Sequence, residues 1–170
     1  IFFVAYTKND VSDVRKRPIT FVFNGGPGSS SAWLHMGAIG PMKVSTTEYG
    51  KTELPPKTFN LVNNDQCWLD ITDLVFIDPV GCGFSKPIGE EKTDKFYGYE
   101  NDIKTTGDFI NQWTSQNKRW GSPKFLAGES YGTTRACGVI DYLTDKYQMY
   151  FNGISLISCA LDFETLREYE

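Results

Sequence analysis

The pentapeptide Gly128-Glu129-Ser130-Tyr131-Gly132 sets one hydroxyl between two glycines, with an acid directly before it. A serine is a weak nucleophile until a base takes its proton and the backbone carries its oxygen into reach. The G-x-S-x-G pattern achieves the second of these where it joins a buried strand to a helix, because the sharp turn projects the serine above the sheet. Three fixed residues recur by chance, so the flanking sequence has to decide. The preceding 124-KFLAG-128 is apolar enough for a strand buried on both faces. After the motif, Val139, Ile140 and Leu143 recur at helical spacing and would face inward. A helix is predicted from about Tyr131 to Tyr147, and its N-terminal dipole would favour negative charge developing near Ser130. The plainer alternative is a strand followed by an ordinary serine-capped helix.

Attack by such a serine on a carbonyl creates an oxyanion that needs N–H donors. One is the backbone N–H of the next residue, here Tyr131, and the other comes from a loop after an earlier strand. The stretch 21-FVFNGGPGSSSAWLHMGAIGP-41 supplies that loop, since glycine backbone can come within hydrogen-bond reach of a reacting atom. It is not a P-loop, which would end in Gly-Lys-Ser/Thr. A hairpin is disfavoured because 32-AWLHMGAI-39 reads as a short helix and not as a returning strand.

These motifs need a scaffold. β-rich runs predict strands at 1–7, 19–24, 71–78, 124–128 and 153–159. Within 96–120, Ile103, Thr106, Ile110 and Trp113 step by three and four, which predicts an amphipathic helix. Strands alternating with helices indicate an α/β fold with a mostly parallel sheet and flanking helices. The segment 46–65 is polar, carries Pro55-Pro56, and reads as a long loop. A chain of 170 residues fits one domain.

Composition narrows the function. The net charge is −4, and the only basic patch, 14-VRKRP-18, is short enough to be a solvated loop. Nucleic-acid binding therefore has little support. No apolar run approaches the ~18 residues of a membrane-spanning helix. The four cysteines, Cys67, Cys82, Cys137 and Cys159, match no zinc spacing and are expected as free or buried thiols. Cys82 and Cys137 each flank a motif, and both are expected to pack. The loop 78-DPVGCGFS-85 follows a strand end, where it could touch substrate or support the serine turn.

Three pieces, 23-FNGGPGSSS-31, 77-IDPVGCGFS-85 and 127-AGESYG-132, together resemble the serine carboxypeptidase family, in its order and spacing and over essentially the whole chain. The run 128-GESYGTTRA-136 is similar to the family's bacterial branch. The resemblance implies an α/β-hydrolase fold and removal of C-terminal residues from peptides, often at acidic pH. By motif, Ser130 would be the nucleophile, and Gly26 and Tyr131 would give the oxyanion N–H groups. Asn24, Gly25 and Glu129 would bind the free carboxylate at the C-terminus of a peptide or protein substrate. Two carboxylates side by side repel, so Glu129 would need a proton to donate a hydrogen bond there. No metal or organic cofactor is implied. Relatives are mostly secreted, periplasmic or vacuolar, which is the compartment the resemblance implies.

Two departures from the family pattern stand out. Many relatives carry a second Glu two residues before the Gly-Pro that closes the first motif, where this chain has Ala38. The chain's single histidine, His35, precedes Ser130, whereas this fold's order is Ser, then Asp or Glu, then His. His35 is therefore expected to be packed or exposed on the short helix. The triad acid and histidine are expected beyond residue 170, with residues 1–170 as a partial domain that stops after the strand following the serine helix. An acyltransferase or esterase on the same scaffold, and a non-catalytic fragment with a binding or structural role, are the alternatives.

Overall fold

A computed structural model describes residues 1–45, 60–162 and 164. Its chain runs through β1 (Phe2–Tyr6), β2 (Ile19–Phe23), a short α1 (Ala32–Leu34) continued by a π-helical turn (His35–Ile39), β3 (Met42–Val44) and β4 (Leu61–Asn63). It continues with β5 (Asp73–Asp78), α2 (Tyr99–Gln116), β6 (Lys124–Glu129), α3 (Tyr131–Tyr147) and β7 (Gly153–Ile157).

Five strands form one sheet in the order β1-β5-β2-β6-β7. β1 is antiparallel to β5, and the other neighbours are parallel. The central strands alternate with period two, and both of their faces are apolar. Phe21, Phe23, Val75, Ile77 and Leu126 point to one side, where Ile103, Ile110 and Trp113 of α2 and Ala136, Val139 and Leu143 of α3 cover them. Ile140 is partly buried and packs against the same cluster. Val22, Leu74, Phe76 and Ala127 point to the other side, under Leu34 and Ile39.

Several sequence expectations shift. The helix within 96–120 is shorter, because a 3-10 turn (Thr93–Phe96) and Gly98 at φ 88° precede α2. The expected loop 46–65 holds β4, which pairs antiparallel with β3; residues 46–59 lie outside the described set. The basic patch is not simply solvated. Arg17 donates from Nε to Oδ1 of the buried Asp73 at 2.7 Å, and Arg119 donates from Nη1 to Asp73 Oδ2 at 2.8 Å. Burial alone would raise the Asp73 carboxyl, but the hydrogen bonds from Arg17 and Arg119 outweigh it and hold it below its ordinary range. Among the described residues, no helix is long and apolar enough to cross a membrane.

Register positions the site. Phe23 lies opposite Gly128, and Val22 lies opposite Phe76. One step on, Asn24, Asp78 and Glu129 stand in a row at the carboxyl ends of three adjacent parallel strands, where ligands bind in open α/β sheets.

Candidate active site

Ser130 joins β6 directly to α3 with φ 56° and ψ −125°, a conformation that non-glycine residues rarely hold. Its N–H donates to the Ile157 carbonyl of β7 at 2.9 Å, and its own carbonyl accepts from Thr133 N–H at 2.9 Å and Thr133 Oγ1 at 2.7 Å. Both sides of the turn are thereby pinned. The side chain makes no capping bond to the helix it precedes, so the plain serine-cap alternative is not the arrangement found. Glycines at 128 and 132 let the turn close, since a Cβ on Gly128 would run into the Gly132 carbonyl.

The glycine loop lies against this turn. A Cβ on Gly25 would sit 2.5 Å from the backbone nitrogen of Tyr131 and 2.6 Å from the Glu129 carbonyl oxygen. Tyr131 is the first residue of α3, so its N–H has no acceptor within the helix. Gly26 turns the loop outward at φ 103° and is exposed, whereas Gly25 is buried.

Asn24 is almost wholly buried, and its partners fix its amide. Oδ1 accepts from Leu34 N–H at 3.0 Å, which leaves Nδ2 to donate to Glu129 Oε2 at 3.1 Å. Asn24 thus holds Glu129 as much as it faces a ligand. Asn24, Gly26, Ser29, Trp33, Leu34, Glu129 and Ser130 line one cleft of about 470 Å³. Four of the six sequence-predicted residues, Asn24, Gly26, Glu129 and Ser130, therefore converge on this cleft from two chain segments. Gly25 packs against the Tyr131 backbone nitrogen, and the Tyr131 side chain turns elsewhere. That phenol lies in a neighbouring cavity, where burial and then the Asp102 charge push it up to about 12.

Two contributors escaped sequence reasoning. Trp33, 75% exposed, lines the cleft from the short helix; an aromatic five positions after the glycine loop was the available signal. Asp78, buried, accepts from Ser30 Oγ, Ser31 N–H, Ser31 Oγ and Phe84 N–H at 2.8–3.2 Å. It ties the serine run to the 78–85 loop, which explains why serines follow the glycines. No residue of that loop lines the cleft, and its Gly81 and Cys82 line the neighbouring cavity.

His35 is packed. Its ring stacks on Phe76 with centroids 4.4 Å apart, and its Nε2 pairs with Tyr6 Oη at 2.8 Å. Burial lowers its pKa, although the Asp78 charge opposes this. The four cysteines are free, as expected. Cys82 is buried, and burial pushes its thiol up. Cys137 departs from the packing expectation: it is exposed on α3, because the helix turns Ala136 and Val139 inward instead. Among the described residues, no group of three or more His, Cys, Asp or Glu is placed to hold a metal ion.

Comparison with known proteins identifies the family. The serine carboxypeptidase family profile matches residues 1–162. Serine carboxypeptidase-like 20 of Arabidopsis thaliana is 33% identical over 138 residues, covering 76% of this chain and 24% of that protein. Pheromone-processing carboxypeptidase KEX1 of Saccharomyces cerevisiae is 34% identical over 137 residues, covering 76% of this chain and 17% of that protein. The crystal structure of the yeast prohormone-processing carboxypeptidase superposes with a TM-score of 0.69 at 26% identity, over 91% of this chain and 32% of that one. A yeast peroxisomal α/β-hydrolase, Lpx1, matches at a TM-score of 0.53 and 17% identity, which reflects the shared fold alone. The chain spans about a quarter of the length of the plant relatives it matches. The sheet is that of an α/β-hydrolase, and the chain belongs to the serine carboxypeptidase family.

Proposed function

We propose that this chain carries the nucleophile, the oxyanion donors and the carboxylate-binding end of a serine-type carboxypeptidase. The observation that carries this reading is Ser130 at φ 56° on a strand-to-helix turn, with the Gly25 backbone packed against the Tyr131 nitrogen. Ser130 Oγ attacks the scissile carbonyl, and its proton passes to a histidine beyond residue 170, oriented by an acid also beyond residue 170. The oxyanion receives hydrogen bonds from the N–H groups of Tyr131 and Gly26. The peptide's terminal carboxylate lies against Asn24, Gly25 and Glu129, with one proton shared between the two carboxyl groups. Water then releases the acyl group from Ser130. The substrates are the C-termini of peptides or proteins, and the compartment is secreted or periplasmic.

The test uses the full-length protein with matched peptides carrying a free or an amidated C-terminus, with mass spectrometry of the products. Loss of single C-terminal residues from the free acid, abolished in Ser130→Ala, is the expected result. Transfer of the acyl group to an added alcohol in preference to water would make it an acyltransferase. Unchanged turnover in Ser130→Ala would overturn the nucleophile assignment. Residues 1–170 alone should label slowly with a serine-directed phosphonate, for want of a base.

A further inference from the structure

Arg135 is the largest fully buried side chain among the described residues, at 1% exposure. It sits one turn into α3, on the face turned toward the glycine loop. Nε donates to Asp102 Oδ2 at 2.8 Å and Oδ1 at 3.0 Å, and Nη1 donates to the Asn24 carbonyl at 2.7 Å. Its guanidinium carbon lies 5.3 Å from the Phe23 ring centroid and 5.1 Å from that of Tyr131. One planar group therefore joins α2, the end of β2 and the start of α3.

We infer that Arg135 is a positioning residue for the oxyanion loop, an inference that rests on the carboxypeptidase reading above. The loop has a built-in conflict. Gly25 must lack a side chain so that its backbone can approach Tyr131, and Gly26 turns at φ 103° with the Gly28 and Ser29 nitrogens crowding the place of a Cβ, yet glycine is the residue with the most backbone freedom to lose. The close approach therefore needs an external hold. The Asn24 carbonyl belongs to the peptide unit immediately before the Gly25–Gly26 unit, whose N–H is the second oxyanion donor. Fixing that carbonyl from α3 fixes the plane from which the donor is aimed. The same guanidinium lies against the Tyr131 ring, so both donors are referred to one rigid group. Burying a guanidinium carries a desolvation cost even when it is paired, so an apolar side chain could have filled the space more cheaply. A lysine has no fork to reach Asp102 and Asn24 together.

A second buried arginine provides the control. Arg119, 4% exposed, pairs with Asp73 at the opposite end of the same sheet, away from the glycine loop.

The experiment compares Arg135→Met, Arg135→Lys and Arg119→Met in the full-length protein, at a temperature where each is folded by circular dichroism. Amide hydrogen exchange over residues 24–28 and single-turnover acylation by an ester substrate are measured together. Arg135→Met should speed exchange in that segment by about tenfold, through local opening that leaves the sheet intact. It should slow acylation by about a hundredfold, the scale of one lost oxyanion donor. KM should stay within about threefold of the parent, because the lost interaction acts in the transition state. Arg135→Lys should recover part of each, and Arg119→Met should lower the melting temperature while leaving both unchanged. Should Arg135→Met not fold, Arg135→Lys carries the comparison, with a smaller shift of the same sign. Exchange and acylation in the Arg135 variants matching those of Arg119→Met would overturn the inference. A parent protein that shows no acylation of Ser130 would sink the carboxypeptidase reading instead, and exchange over 24–28 would still decide whether Arg135 holds the loop.

Discussion

A side chain at Gly25 would place its Cβ 2.5 Å from the backbone nitrogen of Tyr131. Both partners are backbone at the meeting of two strand ends, so neither can move aside without shifting the sheet. Gly25→Ala should therefore push the glycine loop off the serine turn and lower kcat by about a hundredfold or more, the scale of a lost oxyanion donor. Steady-state kinetics on an ester substrate, with the melting temperature as a check on folding, reads this. Near-parental kcat would mean that the loop does not serve the oxyanion.

Glu129 meets Asn24 Nδ2 at 3.1 Å in the cleft beside Ser130. If it shares a proton with a substrate carboxylate, KM for free-acid peptides should rise with pH as that proton is lost. Glu129→Gln keeps a donor and cannot ionise, so the rise should flatten, at some loss of fit. Amidated peptides should show a weaker trend from the start. The same alkaline rise in parent and variant on the free acid would remove Glu129 from this role.

Asp73 links Arg17 and Arg119 at the amino ends of the parallel strands. Its pKa is held below the ordinary value of 3.8, so its stabilising contribution is complete above that pH. The contribution is lost as pH falls through the lower folded-state value. Asp73→Asn should cost about 3–5 kcal/mol at neutral pH, since it leaves two arginines without their charge partner. The variant's stability should then change less than the parent's below pH 4. Urea titrations at neutral and acidic pH give both quantities, and parallel pH profiles would refute the linkage.

Trp33 offers an exposed ring on the cleft that holds Asn24, Glu129 and Ser130. Trp33→Ala should raise KM for peptides ending in a large apolar residue by about tenfold, on the scale of ~1–3 kcal/mol for lost pocket contacts. Peptides ending in glycine should be little affected. An equal change for both would show that the ring does not touch the departing residue.

Local patterns made much of this legible in advance. Runs such as 73-DLVFID-78 and 124-KFLAG-128 have one stable use, as strands buried on both faces, and the G-x-S-x-G turn between a strand and a helix has a narrow set of geometries. Chain order put His35 on the wrong side of Ser130 for a triad base but left it packed or exposed, and folding stacked it on Phe76. Other features depended on partners far away in the chain. Asp78 looked like a strand end until folding brought Ser30 and Ser31 to it, and Arg17 looked like part of a solvated patch until Asp73 met it. Arg135 carried no sign in sequence that its guanidinium would reach Asp102, 33 positions earlier, and the Asn24 carbonyl, 111 positions earlier. Strand identity and turn chemistry are set by neighbours along the chain, so the sequence by itself determined the sheet and the candidate serine. Which polar groups a buried charge satisfies depends on strand register and helix packing, so only the tertiary structure decided how the glycine loop is held against Tyr131.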